Sequence, residues 1–106
     1  MTRTLDFHTI VEVSEHHPCL AGHFPGRPLL PAVLLLDLAA AALRERLGAV
    51  RVTGVPAAKF LRPVPPGGPL QLSLRVEAAR GRAAFRYETA DGLAAQGELS
   101  FSPAPP

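Results

Sequence analysis

Residues Ala32 to Leu43 are the longest apolar segment of the chain, and Asp37 is the only polar residue among them. The run lies between Pro31 and Gly48, and this punctuation predicts a helix. Proline suits the first helical position, where its missing N–H would be unsatisfied anyway, and Gly48 after Arg44-Glu45-Arg46-Leu47 is an ordinary stop with cations in the last turn. A helix apolar on nearly all sides is expected to be buried on most of them. A carboxylate carried into such surroundings has to be paired, neutralised or used, which singles out Asp37. Leu30 precedes Pro31, where Ser, Thr, Asp or Asn would normally cap the first turn. The N–H groups of Ala32, Val33 and Leu34 are therefore without a nearby side-chain acceptor, and with the helix dipole they can receive a ligand oxygen. Asp37 follows Ala32 by roughly 7.5 Å along the axis, within reach of the same small substrate.

The rest of the chain must cover this helix. Leu5, Phe7, Thr9, Val11 and Val13 alternate with Asp6, His8, Ile10 and Glu12 with the period of a half-buried strand, and Ser14 to Leu30 is too rich in proline and glycine for a long regular element. After the helix, Val50 to Val55 is a short strand ended by Pro56, followed by Ala57 to Arg62 and a rigid loop from Pro63 to Pro69. Leu70, Leu72, Leu74, Val76 and Ala78 share one face of the next strand. A turn at Arg80-Gly81 leads to Ala83 to Thr89, with Phe85 and Tyr87 on one face. The Ala90-Asp91-Gly92 turn opens a last strand, Leu93 to Phe101. No internal repeat is visible. The economical arrangement is an α+β domain in which an antiparallel sheet curls around one long central apolar helix, with an edge strand left to pair with a second copy. The domain is expected over 1–102, with a short Pro-rich tail at 103–106.

Composition narrows the function classes. The chain is 47% hydrophobic and 19% charged, which is a globular balance, and its formal charge of +2 gives no nucleic-acid footprint. Cys19 is the only cysteine, so an internal disulfide is excluded and a reducing compartment suits the chain. The first residues lack the apolar core of a signal peptide, and the run from Leu29 to Leu43 is too short for a membrane span. The expectation is a soluble cytoplasmic protein without membrane contact.

Two blocks carry a resemblance. The string HPCLAGHFPGRPLLPAVLLLD, His17 to Asp37, resembles the signature H-P-x-x-x-G-H-F-P-G-x-P-x-x-P-G-V, followed four residues later by an acid, of the hotdog-fold 3-hydroxyacyl-acyl-carrier-protein dehydratases. His17, Pro18, Gly22, His23, Phe24, Pro25, Gly26, Pro28, Pro31, Val33 and Asp37 fall in register. AKFLRPVPPGGPL, Ala58 to Leu70, is similar to the family's K-F-x-x-P-V-x-P-G-D-x-L. Two positions depart from the pattern: Ala32 stands where the family has glycine, and Gly68 where it has aspartate. The short chain resembles the compact dehydratases of polyketide and aryl-polyene pathways.

The resemblance implies a cofactor-free dehydration of 3-hydroxyacyl thioesters on acyl carrier protein, by a homodimer or a hotdog heterodimer. It casts His23 as the base for the C2 proton and Asp37 of the other subunit as the acid, or as the group that orients the leaving water. The Ala32 and Val33 N–H groups face the thioester oxygen. Phe24, Gly26 and Pro31 belong to the substrate-binding motif, and Arg27, Lys59 and Arg62 are candidates to steer the phosphopantetheine arm or the acidic carrier. The casting suits the chemistry: neutral histidine is an efficient proton acceptor near neutral pH, a carboxyl in an apolar site can stay protonated enough to donate, and donors aimed at a developing oxyanion supply much of the stabilisation. Plainer alternatives exist for each. His23 as a loop-packing residue and Asp37 sharing a narrow solvent stripe with Arg44 are the main ones. His16, His17, Cys19 and His23 fit no strong zinc spacing, so no metal is expected. A hotdog thioesterase and a non-catalytic partner subunit are the competing functions, the second suggested by Ala32.

Overall fold

The computed structural model describes residues 3–14, 16 and 29–103. Strand β1 (Thr4–Val11) precedes helix α1 (Ala32–Leu47). Then come β2 (Val50–Phe60), β3 (Leu70–Glu77), β4 (Arg82–Thr89) and β5 (Gly92–Pro103). The strands form one antiparallel sheet in the order β1-β3-β4-β5-β2, which puts β1 and β2 at the edges. The helix packs on one face. Among the described residues no helix is long and apolar enough to cross a membrane.

The alternation on β3 is as expected, with Leu70, Leu72, Leu74 and Val76 all buried. Ala78 is a correction. It opens a 3-10 turn, Ala78–Arg80, and is exposed, because the chain must leave the sheet there to reach Gly81. Gly81 has φ +63°, and a Cβ on it would stand 2.4 Å from the Phe101 carbonyl oxygen, so only glycine passes. Phe85, Tyr87 and Leu99 close the core beneath Leu35, Ala39, Ala40 and Leu43 of α1. Burying each large side chain here contributes about 1.5–3 kcal/mol. The Phe85 ring lies against Gly97, where a Cβ would come within 2.7 Å of ring carbons.

Three further expectations are revised. Pro31 is the N-cap, extended at φ −65° and ψ 147°, and the helix starts one residue later. The helix is not buried nearly all round: Ala32, Val33, Asp37 and Ala41 are exposed, and only one stripe meets the sheet. Residues 50–60 are a single strand running through Pro56, not two. Proline is tolerated because β2 is an edge, and the pairing with β5 slips between Val52 and Gly54 and again between Gly54 and Ala57.

β5 carries a bulge of its own. Tyr87 pairs with Ala95 but Glu88 with Leu93, so Ala94 is the extra residue, and both Ala94 and Ala95 turn inward and are buried. The strand ends at Pro103, one residue past the expected domain limit, and 104–106 lie outside the described residues.

Candidate functional site

The uncapped start of α1 faces the far end of β2. The Ala94 carbonyl, freed from regular pairing by the bulge, accepts the N–H groups of Leu61 at 2.8 Å and Arg62 at 3.2 Å. That ties down the chain as it leaves β2. Two residues on, the Val64 carbonyl accepts the Leu30 N–H at 2.7 Å, and Gly67 N–H donates to the Val13 carbonyl at 2.8 Å. The segment from Leu61 to Gly67 is thus stitched to β5, to the approach to α1 and to the residues following β1.

A hollow of about 340 Å3 opens at this junction, walled by Leu30, Ala32 and Leu35 on the helix side and by Phe60, Leu61 and Val64 opposite. Its lining is apolar except for Arg62, which contributes a cation. Leu30 and Val64 also wall a second hollow, of about 200 Å3, on the side of Val11 and Val13. The Leu34 and Leu35 N–H groups both donate to the Pro31 carbonyl, at 3.1 and 3.3 Å, and Pro31 has no side chain to cap with. Among the described residues the Ala32 and Val33 N–H groups have no partner. The expectation of three free donors is therefore reduced to two.

Asp37 lies one turn beyond Val33, exposed, on the stripe that faces away from the sheet. The apolar burial expected for it is absent within one chain. Val33 on the same stripe is 64% exposed, and Phe60 and Leu61 at the end of the neighbouring edge strand are 42% and 47% exposed. Exposed apolar side chains thus accompany the carboxylate on α1 and the hollow at the end of β2.

The cations separate. Arg62 lines the hollow at the helix start, whereas Lys59 pairs with Gln96 in register and shares with Arg86 and Glu98 a depression on the sheet face away from the helix. The alternation of a strand puts residues of opposite parity on opposite faces. His23, Phe24, Gly26 and Arg27 lie outside the described residues, as do His17 and Cys19 of the considered zinc group. Both flanks of their segment are described: Val13 is bonded to Gly67 and Leu30 to Val64. Sequence reasoning did not assign Leu35 or Tyr87 to the site. Tyr87 Oη donates to the Leu35 carbonyl at 2.6 Å from beneath the helix. Its signal in the sequence was a hydroxyl at a core-facing position, next to Ala83 and Phe85, which carry none.

Comparison with known proteins bears on this geometry. A family model described as ApeI-like, ApeI dehydratase, matches residues 2–98. The 3-hydroxyacyl-[acyl-carrier-protein] dehydratase FabZ of Chloroflexus aggregans is 39% identical over 101 residues, covering 85% of this chain and 70% of the relative. The dehydratase heterocomplex ApeI:P from Xenorhabdus doucetiae superposes with a TM-score of 0.84 at 26% identity, over 91% of this chain and 86% of that one. A hot-dog-like protein from Thermanaerovibrio acidaminovorans matches at a TM-score of 0.69 and 14% identity, over 93% and 82% of the two chains, a likeness of fold. The five-stranded antiparallel sheet packed on one helix is the hotdog fold.

Proposed function

This chain belongs to the ApeI-like dehydratase family, and from that premise we propose that it dehydrates 3-hydroxyacyl thioesters on acyl carrier protein to 2-enoyl thioesters, in fatty-acid, polyketide or polyene synthesis. The observation that carries the reading is the apolar hollow at the start of α1, beside two N–H groups that have no partner among the described residues. The thioester oxygen lies on the Ala32 and Val33 N–H groups. His23 takes the C2 proton, the electron pair moves into the forming C2–C3 double bond, and the C3 hydroxyl leaves as water with a proton from Asp37. The donors act on the negative charge that gathers on the thioester oxygen as the C2 proton departs.

The working unit is a dimer, either of two copies or with a related hotdog subunit. The edge strand β2 has an unpaired side and ends in Phe60, next to exposed Leu61, and the outward stripe of α1 carries Val33. A partner seated there covers Asp37, giving the carboxyl the apolar surroundings that the single chain lacks, and delivers it to the opposite site. Arg62 at the hollow, with Arg27, attracts the phosphate of the carrier's arm, and Phe24, Gly26 and Pro31 shape its entry. Lys59, on the far face, attracts the carrier's acidic surface rather than the arm.

Purified protein given a short 3-hydroxyacyl thioester on carrier protein is expected to yield enoyl product, followed by mass, and His23→Ala is expected to abolish it. A variant that folds and dehydrates at the wild-type rate would remove His23 from the mechanism, and a folded dimer without turnover would remove the activity. One observation favours a second reading, a non-catalytic subunit paired with an active dehydratase: the methyl group of Ala32 stands where the family has glycine. Under that reading Ala32→Gly restores turnover, and gel filtration with the active partner shows a mixed dimer.

A further inference from the structure

Tyr87 stands on β4 with its side chain fully buried, and its ring meets that of Phe85 edge to face at 6.1 Å between centroids. Phe85 fills its share of the core with carbon alone. Tyr87 adds a hydroxyl, and a buried phenol must find an acceptor. The acceptor is the Leu35 carbonyl, at 2.6 Å, in the N-terminal half of α1 and on a residue that walls the hollow. The Leu35 carbonyl shares its peptide unit with the Leu36 N–H. In an α-helix that N–H donates to the carbonyl four residues back, which is Ala32, and the Ala32 carbonyl shares its peptide unit with the Val33 N–H. The hydroxyl therefore heads a chain of hydrogen bonds that runs from the centre of the sheet to the Val33 N–H at the helix start, a donor with no partner among the described residues. Bonds in such a chain polarise one another, strengthening each by roughly 10–30%.

We infer that Tyr87 is a positioning residue for the dehydration: its hydroxyl seats the first turns of α1 on β4 and, through the Leu35 and Ala32 carbonyls, strengthens the Val33 N–H toward the thioester oxygen. Only the last link, the oxygen at Val33, rests on the dehydratase reading. Loss of a whole oxyanion donor lowers kcat by about 10²–10³-fold. A tenth to three tenths of that effect on the logarithmic scale is about a twofold to eightfold change in kcat with KM unaltered.

The chain contains a single tyrosine, so growth on 3-fluorotyrosine alters this hydroxyl alone. The fluorinated phenol is more acidic and a stronger donor. Steady-state kinetics of wild type, Tyr87→Phe and the fluorinated protein are paired with amide proton shifts of Val33 and Leu36 in protein labelled with 15N-valine and 15N-leucine. Expected for Tyr87→Phe are a twofold to eightfold lower kcat, an unchanged KM and upfield movement of both amide protons. The fluorinated protein is expected to move kcat and both shifts the opposite way. Unchanged kcat in Tyr87→Phe, or lower kcat with both amide protons unmoved, overturns the inference. Wild-type protein that folds but does not dehydrate would sink only the dehydratase reading. The two amide shifts then decide alone: moved, they support the relay; unmoved, they overturn it.

Discussion

The two stripes of α1 are built from similar side chains and meet opposite surroundings. Leu35, Ala39, Ala40 and Leu43 are sealed against the sheet, while Ala32, Val33, Asp37 and Ala41 lie open on the other side. Folding needs only the first stripe, since a surface helix is stable with one apolar face covered. The second carries a valine that is 64% exposed and the only carboxylate in an apolar run. The sealed stripe holds the chain together, and the open stripe is where the proposed partner and chemistry meet. Every experiment that moves stability without activity, or activity without stability, sharpens that division.

Asp37→Asn is expected to separate the two most widely. In a dilute monomer the exposed carboxylate contributes within about 0.5 kcal/mol to folding, but the loss of a proton donor lowers kcat by about 10²–10⁴-fold. Urea melts beside the enoyl-formation assay read both, and a fall in stability matching the fall in kcat would erase the division. Leu43→Ala is the converse. Leu43 is fully buried, and its truncation is expected to destabilise by about 2–5 kcal/mol while the folded fraction keeps its kcat.

A pH titration probes the sealed side more gently. Burial pushes the Tyr87 phenol above its ordinary value of 10. The unfolded chain therefore gives up this proton first, so the stabilisation is complete below pH 10 and declines as pH climbs toward the higher folded value. The slope amounts to about 1.4 kcal/mol per pH unit at most. Melts from pH 8 to 11.5 are expected to show this alkaline loss in wild type and its absence in Tyr87→Phe. The smallest expected effect is that of Val33→Ala, within about 0.5 kcal/mol in a dilute monomer. Its consequence appears instead as weaker self-association in analytical ultracentrifugation, and unchanged association would take Val33 out of the interface.

The same contrast explains what the sequence made legible. Strands with one wet face advertise themselves by alternation, so β3 and β4 are readable from Leu70 to Val76 and at Phe85 and Tyr87. The helix is readable from its ends. Which of its sides is sealed is not, because alanine occurs on both and the run is apolar nearly all round, and that choice is made by the sheet it lands on. Pro56 misled for a related reason: proline is expected to end a strand, but on an edge its missing N–H breaks no obligatory ladder bond. The candidate site could be read from the sequence only where its proposed residues share a segment, as Pro31 to Asp37 do. It was not legible where backbone makes the contact: the Ala94 carbonyl that holds Leu61 and the Leu35 carbonyl that receives Tyr87 leave no mark in side-chain pattern.

The two slips of β2 around Gly54 and Pro56 also bear on how far association can run. A long, flat, unpaired edge is a template on which strand after strand can add, the geometry of a growing fibre. On β2 regular register with β5 near the helix start lasts only from Ala57 to Phe60 before the backbone departs from it. A strand added to the open side gains a short ladder and then meets a proline without an N–H. Growth along this edge is self-terminating, and a protein that exposes apolar side chains at its end is thereby protected from unlimited polymerisation.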